Sequence, residues 1–137
     1  MKRLLGLLVL ACVIALAGFG VATGDEKKAE QKPAKAISTS GEIIDMGCYM
    51  AHAAMGAKHQ SCAVKCVAGG MPMGILTNKG HLYLLTPPHE GQDAYNKCKE
   101  LAGTQAEVVG EISERSGMKS IEVTQVTPAP APPAKKS

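Results

Sequence analysis

Between residues 47 and 70 the sequence reads GCYMAHAAMGAKHQSCAVKCVAGG, and most of the side chains able to do unusual chemistry lie inside it. Cys62 and Cys66 are four residues apart, and His59 precedes Cys62 by three. On a helix that spacing lines all three along one face over two turns. The run Ser61 to Val67, stopped by Gly69 and Gly70, predicts a short helix with His59 at its entrance. Cys48, expected at the end of the preceding strand, is placed to swing in as a fourth ligand. Cys48, His59, Cys62 and Cys66 would then offer three thiolates and an imidazole. That is a four-coordinate set for zinc, and soft sulfur also suits cuprous copper. Five methionines lie in and around it, between residues 46 and 73: Met46, Met50, Met55, Met71 and Met73. Thioethers hold cuprous copper where thiols are lost to oxidation, although methionine also fills irregular small cores.

A disulfide reading competes with the metal. Leaving out Cys12, the chain has four cysteines (Cys48, Cys62, Cys66 and Cys98), an even number. In an oxidising compartment an even set in a small domain suggests two bridges, with three connectivities open. A bridge from Cys48 to Cys62 or Cys66 would staple the long segment closed. Cys98 would join the remaining thiol or stay buried and free. Thiol redox chemistry has less support, because there is no Cys-x-x-Cys, and the lack of Cys-x-x-Cys-His excludes ordinary haem attachment. Hydrolysis has little support: Gly-x-Ser-x-Gly, His-Glu-x-x-His and a phosphate-cradling glycine loop are all missing. A Cys48/His59 nucleophile pair lacks an orienting third group. Glu42 and Asp45 lie nearby, but Glu42 is expected to face solvent on an alternating strand. His81 and His89 receive no role. A binding module is therefore expected rather than an enzyme. Its partner would be a metal ion or, for a stapled interaction module, an envelope protein. The segment is rich in glycine and alanine, so a cross-link through Cys48, Cys62 and Cys66 is expected to hold it in place.

The elements that must position these residues are legible from punctuation. Gly41 to Met46, Gly74 to Thr77 and His81 to Thr86 read as strands, the last two joined by Asn78-Lys79-Gly80. Gln92 to Ala102 reads as a helix, with Ala94, Cys98, Leu101 and Ala102 on one face and Gly103 as its stop. Gln105 to Ile112 and Met118 to Val126 alternate apolar and polar residues around Ser116-Gly117, a second hairpin. The order is strand, long insertion, strand, strand, helix, strand, strand. That predicts a mainly β fold, a five-stranded OB-like Greek-key barrel with a Cys-bearing helical insertion after its first strand. The run EVVGEISERSGMKSIEVTQV resembles the closing hairpin of many small bacterial OB-like domains. The Cys, His-x-x-Cys-x-x-x-Cys pattern is also similar to that of a group of secreted bacterial proteins, a resemblance that implies no particular activity.

Charge and the two ends bound the function further. Between Ile37 and Thr127 there are seven Lys/Arg and nine Asp/Glu, so the foldable part is slightly acidic. Its aromatics are Tyr49, Tyr83 and Tyr95 alone. A nucleic-acid binder needs a basic face and, for single strands, stacking rings, so no nucleic-acid partner is expected. Met1-Lys2-Arg3 followed by the apolar run from Leu4 reads as a bacterial export signal or uncleaved membrane anchor over residues 1–22. A lipobox at Cys12 fits less well, because apolar residues continue after it. The body of the protein is thus expected in the periplasm or secreted, touching membrane only through that segment. Residues 23–36 read as a flexible linker, 37–127 as the OB-like domain and 128–137 as a proline-rich tail.

Overall fold

The computed structural model describes residues 35–130. The leader, almost all of the linker and most of the proline-rich tail lie outside them. Five strands and three helices follow in the order β1 (Lys35–Asp45), α1 (Met46–His52), α2 (Gln60–Ala68), β2 (Met73–Thr77), β3 (Leu82–Thr86), α3 (Asp93–Glu100), β4 (Gln105–Arg115) and β5 (Met118–Pro128). The strands close into a barrel in the order β1-β2-β3-β5-β4, with β4 returning to β1. All pairings are antiparallel except β3 with β5. This is the Greek-key topology of an OB-fold, as the element order predicts.

β1 is the strand that makes closure possible. Its first part pairs with β4, from Lys35 opposite Ile112 to Glu42 opposite Gln105. Its second part pairs with β2, from Gly41 opposite Thr77 to Asp45 opposite Met73. The handover falls at Gly41, where a Cβ would collide with the carbonyl of Leu76. Only glycine lets the two backbones come that close. β1 begins two residues inside the segment read as linker. Its start, Lys35 to Ser40, is mostly polar and exposed, with Ile37 as the side chain packed against the core; β4 holds it through the ladder.

Side chains from every strand fill the barrel. Ile43, Met73, Ile75, Leu85, Val108, Ile121 and Val123 are almost wholly buried, and each contributes about 1.5–3 kcal/mol by leaving water. Two helices close this core. α3 contributes Cys98, with Ala102 just beyond its end, and α2 contributes Ala63 and Val67. α3 ends at Glu100, two residues before the expected Ala102, and a turn leads to Gly103 with a left-handed φ of +78°. The Gly103 N–H donates to the Ile43 carbonyl at 2.7 Å, and the Ile43 N–H donates to the Thr104 carbonyl at 3.0 Å. The same glycine packs against Gln60 at the start of α2. One short segment therefore ties α3, β1 and α2 together, and through α2 it fixes the insertion. Among the described residues, no helix is long and apolar enough to cross a membrane.

Candidate metal centre

The segment between β1 and β2 holds two helices where the sequence predicts one. The additional helix, α1, starts because Asp45 caps it. The Asp45 side chain accepts hydrogen bonds at Oδ1 from the backbone N–H of Gly47 at 2.8 Å and of Cys48 at 3.4 Å. A carboxylate at this position satisfies donors that the first turn leaves without partners. Cys48 therefore lies in the first turn of a helix and not at the end of a strand. The same cap sets the Asp45 carboxylate beside it.

α2 forms as the spacing predicts, and His59 is its N-cap residue, although its side chain makes no capping bond. Ala63 and Val67, four residues apart, turn into the barrel core. Cys62 and Cys66, also four apart, are each one position behind them on the helix. They are thus rotated away from the core, with Cys62 exposed and Cys66 half-buried. The burial of Ala63 and Val67 aims the two thiols.

Three sulfurs converge. Those of Cys48, Cys62 and Cys66 all lie within 4.8 Å of one another, and the Cys62 and Cys66 sulfurs are 3.9 Å apart. A second group shares Cys48: ligand atoms of Asp45, Cys48 and His59 also lie within 4.8 Å of one another. Of the four residues singled out by sequence, three thus form one group, and His59 joins Cys48 in the other. Asp45, to which the sequence assigns no role, is the addition. Its signal was the capping position: an Asp directly before Met46-Gly47-Cys48.

The disulfide parity does not carry over to the geometry. All four described cysteines are free. Cys98 is wholly buried in the barrel core and belongs to neither group. Burial pushes its thiol up to about 12. Cysteine thus serves two purposes here, a core side chain at Cys98 and a converging trio elsewhere.

The electrostatics of the cluster centre on Asp45. It is 1% exposed, and its Oδ2 is buried without a hydrogen-bond partner. The buried Nε2 of His59 likewise has no partner. Burial pushes the Asp45 carboxyl up, but the Cys48 thiol, the Gly47 and Cys48 N–H groups and the Cys66 thiol together hold it below its ordinary value. Neither thiol meets Oδ2 in hydrogen-bond geometry, so the thiols act there as nearby dipoles. The reciprocal effect falls on sulfur. The Asp45 carboxylate, then burial, then the neighbouring thiols push Cys48 up to about 12. Cys66 is raised first by Cys62, then by burial and by Asp45. A nucleophilic cysteine needs its thiolate favoured, and Cys48 is shifted the opposite way. The Cys48/His59 pair therefore gains a third group in Asp45, but one that disfavours the reactive form. A cation would reverse that preference, because bound metal deprotonates a coordinating thiol.

Two expectations about the insertion change. Glu42 does not face solvent; it is 6% exposed, and its carboxylate accepts a hydrogen bond from the Gly56 N–H. The whole stretch Gly41 to Asp45 is buried on both faces, because the insertion covers what would be the outer face of β1. Nor does a cysteine cross-link hold the insertion, since the described cysteines are free. Ala63 and Val67, the Glu42–Gly56 bond and the Asp45 cap anchor it to the barrel, and a Met46 N–H to Pro72 carbonyl bond at 3.0 Å joins its two ends. The methionines divide. Met73 is in the core, while Met50, Met55 and Met71 are exposed. No protein-family model matches the chain, and no curated protein matches it.

Proposed function

We propose that this chain is an exported soft-metal-binding module that takes Zn²⁺ or Cu⁺ on Cys48, Cys62 and Cys66. The convergence of the three sulfurs carries the reading. A Zn–S bond of about 2.3 Å places sulfurs at the corners of a tetrahedron about 3.8 Å apart. The Cys62 to Cys66 separation is 3.9 Å. Two thiols on adjacent turns of one helix already stand at the distance a metal would impose, and a third reaches them from α1. The barrel supplies a rigid wall, and the ion replaces three thiol protons. The exposed thioethers support cuprous copper as the cargo. Met71 packs against Gly47, next to Cys48, and its N–H donates to the Cys66 carbonyl at 3.0 Å. Thiolate and thioether together are a soft donor set. The leader-like residues 1–22 support a place outside the cytoplasm.

The competing reading is a disulfide-stapled interaction module that presents the insertion to an envelope protein. The approach of the Cys48 sulfur to those of Cys62 and Cys66 supports it as well, since a small movement would bring either pair into bonding range. Thiol counting with intact mass on the protein isolated from its exported form separates the two. The metal reading expects at least three free thiols and a copurifying ion. A mass two or four units below the fully reduced chain, with no metal, would leave the stapled module instead.

A further inference from the structure

The thiol trio does not account for two polar atoms buried beside it. Asp45 Oδ2 and His59 Nε2 both lack hydrogen-bond partners. A buried carboxylate oxygen and a buried imidazole nitrogen left unpaired are costly, and native structures rarely leave either without a partner. Both residues belong to the same three-residue group, with Cys48 as its third member. We propose that Asp45, Cys48 and His59 hold a second ion, a divalent cation of the zinc class, with the Cys48 sulfur shared between the two sites.

Ligand chemistry and charge both support this. The outer trio is all sulfur and half open to solvent. The inner one offers oxygen, sulfur and nitrogen, a mixed set that zinc accepts at about 2.0–2.3 Å from each atom. Asp45 and three thiolates carry four negative charges in one small cluster. One divalent ion on the sulfurs would leave two of them uncompensated, one on a carboxylate that is 1% exposed. Two divalent ions bring the cluster to neutrality, which is what a buried charged group requires. Position adds to this. Asp45 is held by its cap bonds to α1, and His59 is fixed at the start of α2 by its own N–H to the Gly56 carbonyl at 2.9 Å. The inner ligands therefore come from the two helix starts, and an ion between them would lock α1 to α2. This site stands on the two orphaned atoms, whereas the thiol site stands on the sulfur spacing, so either can fail alone.

The test is a Zn²⁺ titration of the reduced, metal-free full chain, with a chromophoric chelator competing and native mass spectrometry counting ions. Two equivalents per chain are expected. Asp45→Asn keeps the oxygen that caps α1 and removes the anionic Oδ2. His59→Ala removes the imidazole without touching that cap. Each should lower the count to one, weakening the second equivalent at least tenfold. Cys62→Ser should also leave one equivalent, and that one should depend on Asp45 and His59. A parent chain that takes a single equivalent overturns the second site. So do two equivalents that Asp45→Asn and His59→Ala both leave unchanged. If Cys62→Ser and Cys66→Ser leave the count untouched while His59→Ala lowers it, the thiol reading fails and the inner site stands.

Discussion

The barrel closes on itself through backbone ladders, each strand paired on both sides, and its core is a continuous set of aliphatic side chains. Residues 46–72 add no strand to those ladders before β2 begins. They rest on the barrel through two alanine- and valine-sized contacts, one carboxylate-to-backbone bond and one capped helix start. Apart from Ala63 and Val67, the side chains of that core come from the strands and from the α3 end of the domain. The insertion and the end of β1 instead bring together three thiols and two buried polar atoms without hydrogen-bond partners. The ladders and the converging polar side chains thus lie in different parts of one small domain. Perturbations should separate them.

The largest effect belongs to the barrel. Ile75 is wholly buried between strands that close it, and Ile75→Ala should cost about 2–5 kcal/mol through lost transfer energy and the cavity left behind. A circular-dichroism melt should show one cooperative transition moved down by many degrees. A melt in which only part of the signal moves would contradict a single cooperative barrel.

The next effect belongs to the insertion. Metal at a hundredfold excess over its dissociation constant should stabilise the bound state by about 2.7 kcal/mol. Limited proteolysis should read this as protection confined to residues 47–70, lost on chelation and weakened in Cys66→Ser, while the barrel resists throughout. Equal cleavage with and without metal would mean that the anchors from Glu42, Ala63 and Val67 suffice alone.

Legibility follows the same division. The closing hairpin and the helix before it could be read because alternation, Ser116-Gly117 and Gly103 are local signals that the fold obeys. The start of β1 could not, because Lys35 to Ser40 offers Ile37 as its one large apolar side chain and is ordered as a strand by its pairing with β4. The alternation rule failed at Glu42 for the opposite reason: tertiary cover buries both faces of β1 there. At the site, the His59, Cys62, Cys66 spacing was readable because a helix converts sequence interval into direction. Asp45 was not, since its place in the cluster depends on α1, a helix of seven residues whose start is a single cap.

Alkaline pH distinguishes the cysteine of the core from those of the insertion. The Cys98 thiol is raised from 9.0 to about 12 by burial, so folding favours its neutral form. Its contribution is full below about pH 9 and is lost as pH rises from there toward 12. Tyr95, raised by burial and by Cys98, adds a loss of the same sign in the alkaline range. Denaturant melts between pH 8 and 11 should therefore fall more steeply for the parent than for Cys98→Ala, whose cavity cost is constant with pH. Parallel slopes would show that Cys98 does not titrate differently in the folded state. The raised thiols of Cys48 and Cys66 act in the same direction and are common to both proteins, so the comparison isolates the core.

The smallest effect concerns the end of α1. Ala53 closes that helix in the left-handed conformation, with φ 51° and ψ 31°, and its N–H donates to the Tyr49 carbonyl at 2.8 Å. A residue with a Cβ pays about 1 kcal/mol to sit there, and glycine, the usual residue at this position, does not. Ala53→Gly removes that strain but gives the unfolded chain more freedom, so the net gain should be about 0.5 kcal/mol. The barrel should melt unchanged, while the Ala53 amide, which closes the last turn above Cys48, should exchange more slowly. Because a firmer α1 holds Cys48 closer to its bound position, zinc affinity should rise by a factor of about two, the binding counterpart of that half kilocalorie. A variant in which the amide exchanges faster would show that the alanine methyl, and not the backbone turn, secures the helix end.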